Sequence, residues 1–163
     1  MGNGGTKDNQ NVYFRARKRA AEYNERLSSR EGAAELLGIS SSTLADYELG
    51  ITKFVPVDKA VLMADLYNCP ELRTGYCKHE CPIGKYIPLA TSVSGIEGIA
   101  LRLFREFDSE KIKEMEKNLV DIAADGIISE NEKPTLEGIL KQLDGLSVAI
   151  SELKLAGEKV LKG

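Results

Sequence analysis

The most informative stretch of the chain is residues 30–49, which read REGAAELLGISSSTLADYEL. A helix-turn-helix requires a small residue where its two helices cross, and a glycine or a similarly permissive residue four positions later. Ala34 and Gly38 stand at these two positions. Apolar residues stand where the helices would face a core, at Ala33, Leu37, Ile39, Leu44 and Tyr47. The pattern therefore predicts a helix-turn-helix.

Helix-start and helix-stop residues frame both helices of this motif. Ser29 precedes REGAAELL and Ser40 precedes SSTLADYEL, and serine is a preferred N-cap because its hydroxyl accepts a backbone amide. Gly38 and Gly50 are expected to end the two helices. The start of the second helix then faces solvent, and its short polar side chains could contact DNA bases or phosphates: Ser40, Ser41, Ser42, Thr43 and Asp46.

The longer stretch GAAELLGISSSTLADYELGITKFVPVDKAVLMADLYN resembles the Cro/repressor-like (xenobiotic-response-element type) helix-turn-helix family. In that family a helix ending in LG-I-S leads into a recognition helix ending in E-x-G, and a helix similar to KAVLMADLYN packs behind it. The resemblance covers about residues 11–69. It implies a five-helix, lambda-repressor-like domain that binds double-stranded DNA as a homodimer on a palindromic operator.

This sequence departs from the family at the residues that contact DNA. The family often has glutamine early in the first helix of the motif, where this chain has Arg30 and Glu31. The recognition helix has no Arg, Lys, Asn or Gln between Ser40 and Leu49, so the strongest bidentate readers of guanine and adenine are missing. Specificity would rest on hydroxyl contacts, on Asp46 and on DNA shape. The alternative is a helical protein-interaction domain without DNA affinity.

Positive charge is concentrated in the first half of the chain. Residues 1–88 contain 12 Lys and Arg against 11 Asp and Glu, whereas residues 89–163 contain 10 against 14. A nucleic-acid surface is therefore expected in the first half. Phosphate contacts are expected from five basic residues, although a solvated helix face is the alternative for the first three: Arg15, Arg17, Lys18, Arg30 and Lys53.

Three cysteines and the single histidine lie within 13 residues, at Cys69, Cys77, His79 and Cys81. Tetrahedral zinc accepts three Cys and one His, so the cluster predicts a zinc site at the end of the first domain. The spacing is not that of a standard zinc knuckle. The alternatives are an iron–sulfur centre or redox switch, and reduced cysteines that pack as small apolar residues.

The last third of the chain has the pattern of long amphipathic helices. Apolar residues recur with a 3-4 spacing over four heptads, at Leu136, Ile139, Leu143, Leu146, Ile150, Leu153, Gly157 and Val160. This stripe predicts a coiled coil, formed either within the chain or with a second copy. Before it, DIAADGIISENE at 121–132 resembles a calcium loop, but a Ser129–Glu132 capping box explains the same residues.

The whole pattern predicts an all-α protein. Residues 1–10 form a disordered tail, 11–69 the helix-turn-helix domain, 70–95 a cysteine-containing junction and linker, and 96–163 a helical hairpin or coiled coil that dimerises or binds a protein partner. No run of about 18 apolar residues and no secretory signal occurs, so we expect a cytoplasmic protein that does not enter membranes. No catalytic motif is present, so we expect a transcriptional regulator rather than an enzyme.

Overall fold

The structure, a computed structural model, describes residues 11–162. Within this range it is all-helical, with eight α-helices and no strand, so the all-α prediction is confirmed. None of these helices is both long enough and apolar enough to cross a membrane. The predicted disordered tail, residues 1–10, lies outside the described residues. The helices are α1 (Val12–Ala20), α2 (Arg30–Leu37), α3 (Ser41–Leu49), α4 (Val57–Leu66), α5 (Glu71–His79), α6 (Ile96–Glu106), α7 (Ser109–Ala123) and α8 (Lys133–Lys162).

The chain divides into two compact units. The first contains residues 11–85 and 158–162, and the second contains residues 86–157. This division differs from the sequence-based one, which separated residues 11–69, 70–95 and 96–163. Helix α5 belongs to the first unit, and so do the last residues of α8.

The predicted ends of α2 and α3 are confirmed. The Ser29 hydroxyl accepts the Gly32 amide at 3.0 Å, and the Ser40 hydroxyl accepts the Thr43 amide at 3.0 Å. Between the two helices, Gly38 has a φ of 64°, in the left-handed region that a residue with a Cβ rarely adopts. This conformation ends α2 and lets α3 begin three residues later.

The start of α1 is joined to the end of α3 by one side chain. The Asn11 carbonyl oxygen accepts the amides of Tyr13 and Phe14, at 2.9 and 3.3 Å, and so caps α1. The Asn11 amide group donates to the Tyr47 carbonyl of α3 at 3.0 Å. A local cap therefore also supports the tertiary placement of α3.

Helices α1–α5 enclose one apolar core. The predicted inward residues of α2 and α3 are buried, with Ile39 only partly so: Ala33, Ala34, Leu37, Leu44 and Tyr47. From α1, α4 and α5 the core receives Tyr13, Ala16, Ala20, Ala60, Met63, Ala64 and Leu72, and from the connecting segments Leu27, Val55, Tyr67 and Cys69.

Helix α5 lies within residues 70–95, for which the sequence predicts a cysteine-containing junction and linker. Pro70 stands at its N-cap, where the missing proline amide hydrogen carries little cost because helix-start amides have no partner within the helix. Leu72 is buried, and Tyr76, one turn later, packs partly against the core. Tertiary packing of these two side chains explains why a segment with Pro70 and Gly75 is helical.

In the second unit, side-chain contacts join α6 and α7 to α8. Glu152 of α8 accepts from the Arg102 guanidinium of α6 at 2.5 Å and from the Ser94 amide at 2.8 Å. Further along, Met115 of α7 lines a shallow groove together with Ile139 of α8. The buried apolar residues of this unit are few: Ala90, Ile99, Ile122, Ile139, Ala149 and Leu155.

The turn before α8 contains the predicted capping pair. The Ser129 amide donates to the Glu132 carboxylate at 2.7 Å, and the Glu132 amide donates to the Ser129 carbonyl at 3.1 Å. These two hydrogen bonds hold the chain at the point where α8 begins, which agrees with the capping-box explanation of this segment.

Candidate nucleic-acid interface

The N-terminal end of α3 presents a cluster of hydroxyl groups. Ser40, Ser41 and Ser42 are exposed and Thr43 is half-buried. The Ser40 hydroxyl lies 2.9 Å from the Ser42 hydroxyl and 2.8 Å from that of Thr43. Because the first amides of a helix carry partial positive charge, this end of α3 can accept an anionic ligand such as a phosphate.

The rest of the outward face of α3 offers few groups for base recognition. Ala45 and Asp46 are half-buried and Leu49 is exposed. The Asp46 carbonyl accepts the amides of Ile51 and Thr52, at 2.9 and 3.3 Å, which holds the chain after α3 against the helix end. The outward side chains are therefore short, and the single charged one is acidic.

Three of the predicted phosphate-binding residues are exposed cations. Arg15 and Lys18 project from α1, and Lys53 lies in the segment between α3 and α4. The Lys18 ammonium donates to the Ser28 carbonyl at 2.9 Å. The Lys53 ammonium lies 5.3 Å from the ring centre of Phe54. All three can present positive charge to a polyanion.

Arg17 occupies a different place from the one we predicted. It is 2 % exposed, and its Nε and Nη2 atoms donate to the two carboxylate oxygens of Glu48, at 2.5 and 2.9 Å. Its Nη1 atom donates to the carbonyls of Leu27 and Ser28, at 2.9 and 3.2 Å. A guanidinium enclosed in this way is not available to a phosphate, so Arg17 is removed from the candidate interface.

Glu48 also binds Arg30. The Arg30 Nε atom donates to Glu48 at 2.7 Å, and the Arg30 side chain is 30 % exposed. Part of this guanidinium can still face solvent, but its position is determined by the buried carboxylate. The Glu48 carboxylate thus ties α3 to α1 and to the start of α2.

Sequence reasoning missed this carboxylate, although the helical spacing contained a signal for it. Glu48 follows the buried Leu44 by four residues, so it lies on the inward face of α3. Arg17 lies on the same face of α1 as the buried Tyr13, Ala16 and Ala20. An acidic and a basic residue on two inward faces indicate a buried ion pair, because an unpaired buried charge is costly.

The predicted zinc ligands lie before, within and just after α5, and the zinc site stays a prediction. Over residues 11–162 no three His, Cys, Asp or Glu side chains are grouped so that they could hold a metal ion. Cys69 is buried, Cys77 and Cys81 are half-buried at the end of α5, and His79 is exposed.

The turn after α5 requires a glycine at position 84. Gly84 lies so close to the Cys77 carbonyl that a Cβ there would be 1.5 Å from its oxygen.

Cys69 lies among charged side chains. Its sulfur atom accepts from Arg19 Nη2 at 3.4 Å. Burial, reinforced by the neighbouring Glu71 carboxylate, raises the pKa of the Cys69 thiol to about 11. The buried Cys69 side chain belongs to the apolar core of the first unit.

A second charged cluster of the first unit, which sequence reasoning also missed, holds the last residues of α8. Lys159 donates to Glu71 at 2.8 Å, Arg73 donates to Glu158, and Lys162 lies 3.5 Å from Asp65. Burial tends to raise the pKa of Glu71, but the hydrogen bond from Lys159 outweighs it and lowers that pKa below its ordinary value. The partners are up to 88 residues apart in sequence, so no local pattern indicates them.

An exposed apolar segment follows α3. Ile51, Phe54 and Val57 are each more than half exposed, and Val61 is partly exposed one turn along α4. Exposed apolar residues that lie close together in the chain can mark a site that binds another macromolecule.

Comparison with known proteins gave no match of any kind. No protein-family model matches the chain, and neither a curated protein nor a solved structure was found to be similar to it.

Proposed function

We propose that this chain is a bacterial, cytoplasmic transcriptional regulator that binds double-stranded DNA as a homodimer and represses by occupying an operator. In this proposal α2 and α3 are the two helices of a lambda-repressor-like helix-turn-helix, and α3 is the recognition helix. Regulation by occupancy requires no catalytic step.

The way α3 is anchored in the core, with its N-terminus facing solvent, is the observation that supports the proposal. Leu44, Tyr47 and Glu48 anchor one face of α3 in the core, and the hydroxyl cluster at its N-terminus faces solvent. Helix-turn-helix proteins place the N-terminal residues of such a helix in the major groove. The exposed Arg15, Lys18 and Lys53 of the same unit would bind phosphates and orient the domain.

The absence of long donors on α3 shapes the proposed mode of recognition. Serine and threonine hydroxyls can contact several bases, and Asp46 can accept from a cytosine amino group. Discrimination between operators would then depend strongly on the shape and deformability of DNA. We expect a large nonspecific component that falls steeply as salt concentration rises.

The proposal is tested by Ser41→Glu. Ser41 is the first residue of α3, where a negative charge favours the helix but would repel a DNA phosphate. We expect fluorescence anisotropy with labelled duplex DNA at low salt to show about tenfold weaker binding or more. Ser109→Glu is the matched control, because Ser109 is the exposed first residue of α7. Equal DNA affinity of the two variants would contradict the placement of α3 in the groove.

The second candidate function is a non-enzymatic protein-interaction adaptor on the same scaffold. It is favoured by the exposed Ile51, Phe54 and Val57 and by the short, acidic outward face of α3. The helices of the second unit could likewise bind a protein partner. Heparin chromatography separates the two candidates. An adaptor would not be retained on the column even at low salt, whereas the proposed regulator would be retained until salt releases it.

A further inference from the structure

Helix α8 has two apolar faces in the second unit. One is buried against the rest of the unit and includes Ile139, Ala149 and Leu155. The other includes Leu140, Leu143 and Ile150, which are 53, 38 and 38 % exposed. The apolar stripe predicted from sequence is therefore divided between a covered and an uncovered face.

The uncovered face has the periodicity of a helix–helix seam. Leu140, Leu143, Ser147, Ile150 and Lys154 follow one another at intervals of three, four, three and four residues. That spacing matches another helix with the same repeat, because knobs of one helix then meet holes of the other along the whole length. We refer to these five residues as the outer seam.

We propose that the outer seam binds the outer seam of a second copy of this chain, antiparallel and with the two-fold axis at Ser147. Leu143 of each copy would pack against Ile150 of the partner subunit. Leu140 of each copy would lie against the aliphatic part of Lys154 of the partner subunit. Such a contact is isologous and closes as a dimer.

Charge selects the antiparallel arrangement. A parallel pair would place Lys154 beside Lys154 of the partner subunit within an apolar seam, and like charges there repel. An antiparallel pair places Lys154 near Glu137 and Asp144 of the partner subunit, since both precede or follow Leu140 by about one turn. These two acidic residues are exposed beside the seam.

The test is sedimentation velocity of the full chain without DNA, which reports the dimer whether or not the protein binds DNA. We expect the wild type to be dimeric at tens of micromolar and Ile150→Glu to raise the dimer dissociation constant about tenfold or more. Leu101→Glu is the matched control: Leu101 is 69 % exposed on α6 and lies opposite the buried Ile99 on that helix. A monomeric wild type, or equal dissociation of the two variants, would overturn the proposal.

Lys154→Glu separates the antiparallel from the parallel arrangement and leaves the apolar core untouched, because Lys154 is exposed. In the antiparallel dimer it places three acidic groups together, and we expect weaker association. Adding Glu137→Lys and Asp144→Lys to the same chain restores opposite charges and should restore the dimer. A parallel dimer would be insensitive to Lys154→Glu, and that result would overturn the antiparallel assignment.

Discussion

Glu48 is the residue on which the placement of α3 depends most. Its carboxylate is fully buried and binds Arg17 through two hydrogen bonds and Arg30 through a third. A buried ion pair of this kind gains little relative to apolar packing, but the loss of one partner leaves an uncompensated charge in the core. The local sequence favours α3 as a helix, whereas this carboxylate helps to determine how the helix is held.

Glu48→Gln is therefore expected to lower the free energy of unfolding by about 3 kcal/mol or more, because Arg17 loses its counter-ion while it stays buried. Urea unfolding followed by circular dichroism measures the change. Glu35→Gln is the matched control, since Glu35 also pairs with an arginine, Arg26, but on the surface. A loss as small as that of the control variant would show that Arg17 escapes to solvent.

The role of the two serine caps could be predicted from the sequence, whereas the buried position of Arg17 could not. Ser29 and Ser40 were identified correctly because the amides they accept lie three residues away. The sequence places Arg17 on the DNA surface because it belongs to a basic run next to the predicted helix-turn-helix. Its partner lies 31 residues away, beyond the reach of a local pattern.

At the scale of elements, the second unit depends on a polar contact at the middle of α8. Glu152 joins α8 to α6 through Arg102 and to the preceding segment through the Ser94 amide. Burial tends to raise the pKa of the Glu152 carboxyl group, but these donors outweigh it and hold the pKa below its ordinary value of 4.5. Its ionised form is thus favoured by the folded state.

The second unit should consequently become less stable in acid. A carboxyl group whose pKa is lowered by folding contributes stability above its ordinary pKa and loses that contribution as pH falls through the folded value. We expect Glu152→Gln to be less stable than the wild type at neutral pH, and the difference to shrink as the pH falls below the ordinary carboxyl pKa of 4.5. Urea unfolding as a function of pH tests this, with the exposed Glu116→Gln of α7 as control. A difference that stays constant with pH would contradict the role of the ionised Glu152.

In helix α5, too, the local sequence and the tertiary packing favour different structures. Pro70, Gly75 and the cysteines predict a junction between domains, yet Leu72 and Tyr76 pack on a core supplied by other helices. The same helix contains Cys77 and His79, with Cys69 before it and Cys81 after it. The zinc site stays a prediction.

For the whole molecule, the proposed DNA contact predicts a defined salt dependence. Each phosphate contact that is lost should reduce the slope of log K against log salt concentration by about one unit. We expect this reduction for Arg15→Gln and for Lys53→Gln, because both side chains are exposed in the first unit. Lys117→Gln, on an exposed position of α7, should leave the slope unchanged. An equal slope in all three variants would place the DNA-binding surface elsewhere.

The sequence by itself determined the helical class, the ends of α2 and α3, the inward residues of the turn between them and the start of α8. These features depend on contacts within about one helical turn, such as Ser40 with Thr43 and Ser129 with Glu132. The hydroxyl cluster on α3 follows from the same local geometry, which is why the candidate site could be located before the fold was known.

Only the tertiary structure decided which charged residues stay exposed to a ligand and which apolar residues are buried. Arg17 is enclosed by Glu48, the end of α8 is held by Glu71, and the apolar stripe of α8 is divided between two faces. Each outcome requires groups 31 to 88 residues apart, or a neighbouring helix, to meet. Burial depends on how distant segments pack together. A local sequence pattern indicates only that a segment tends to be packed.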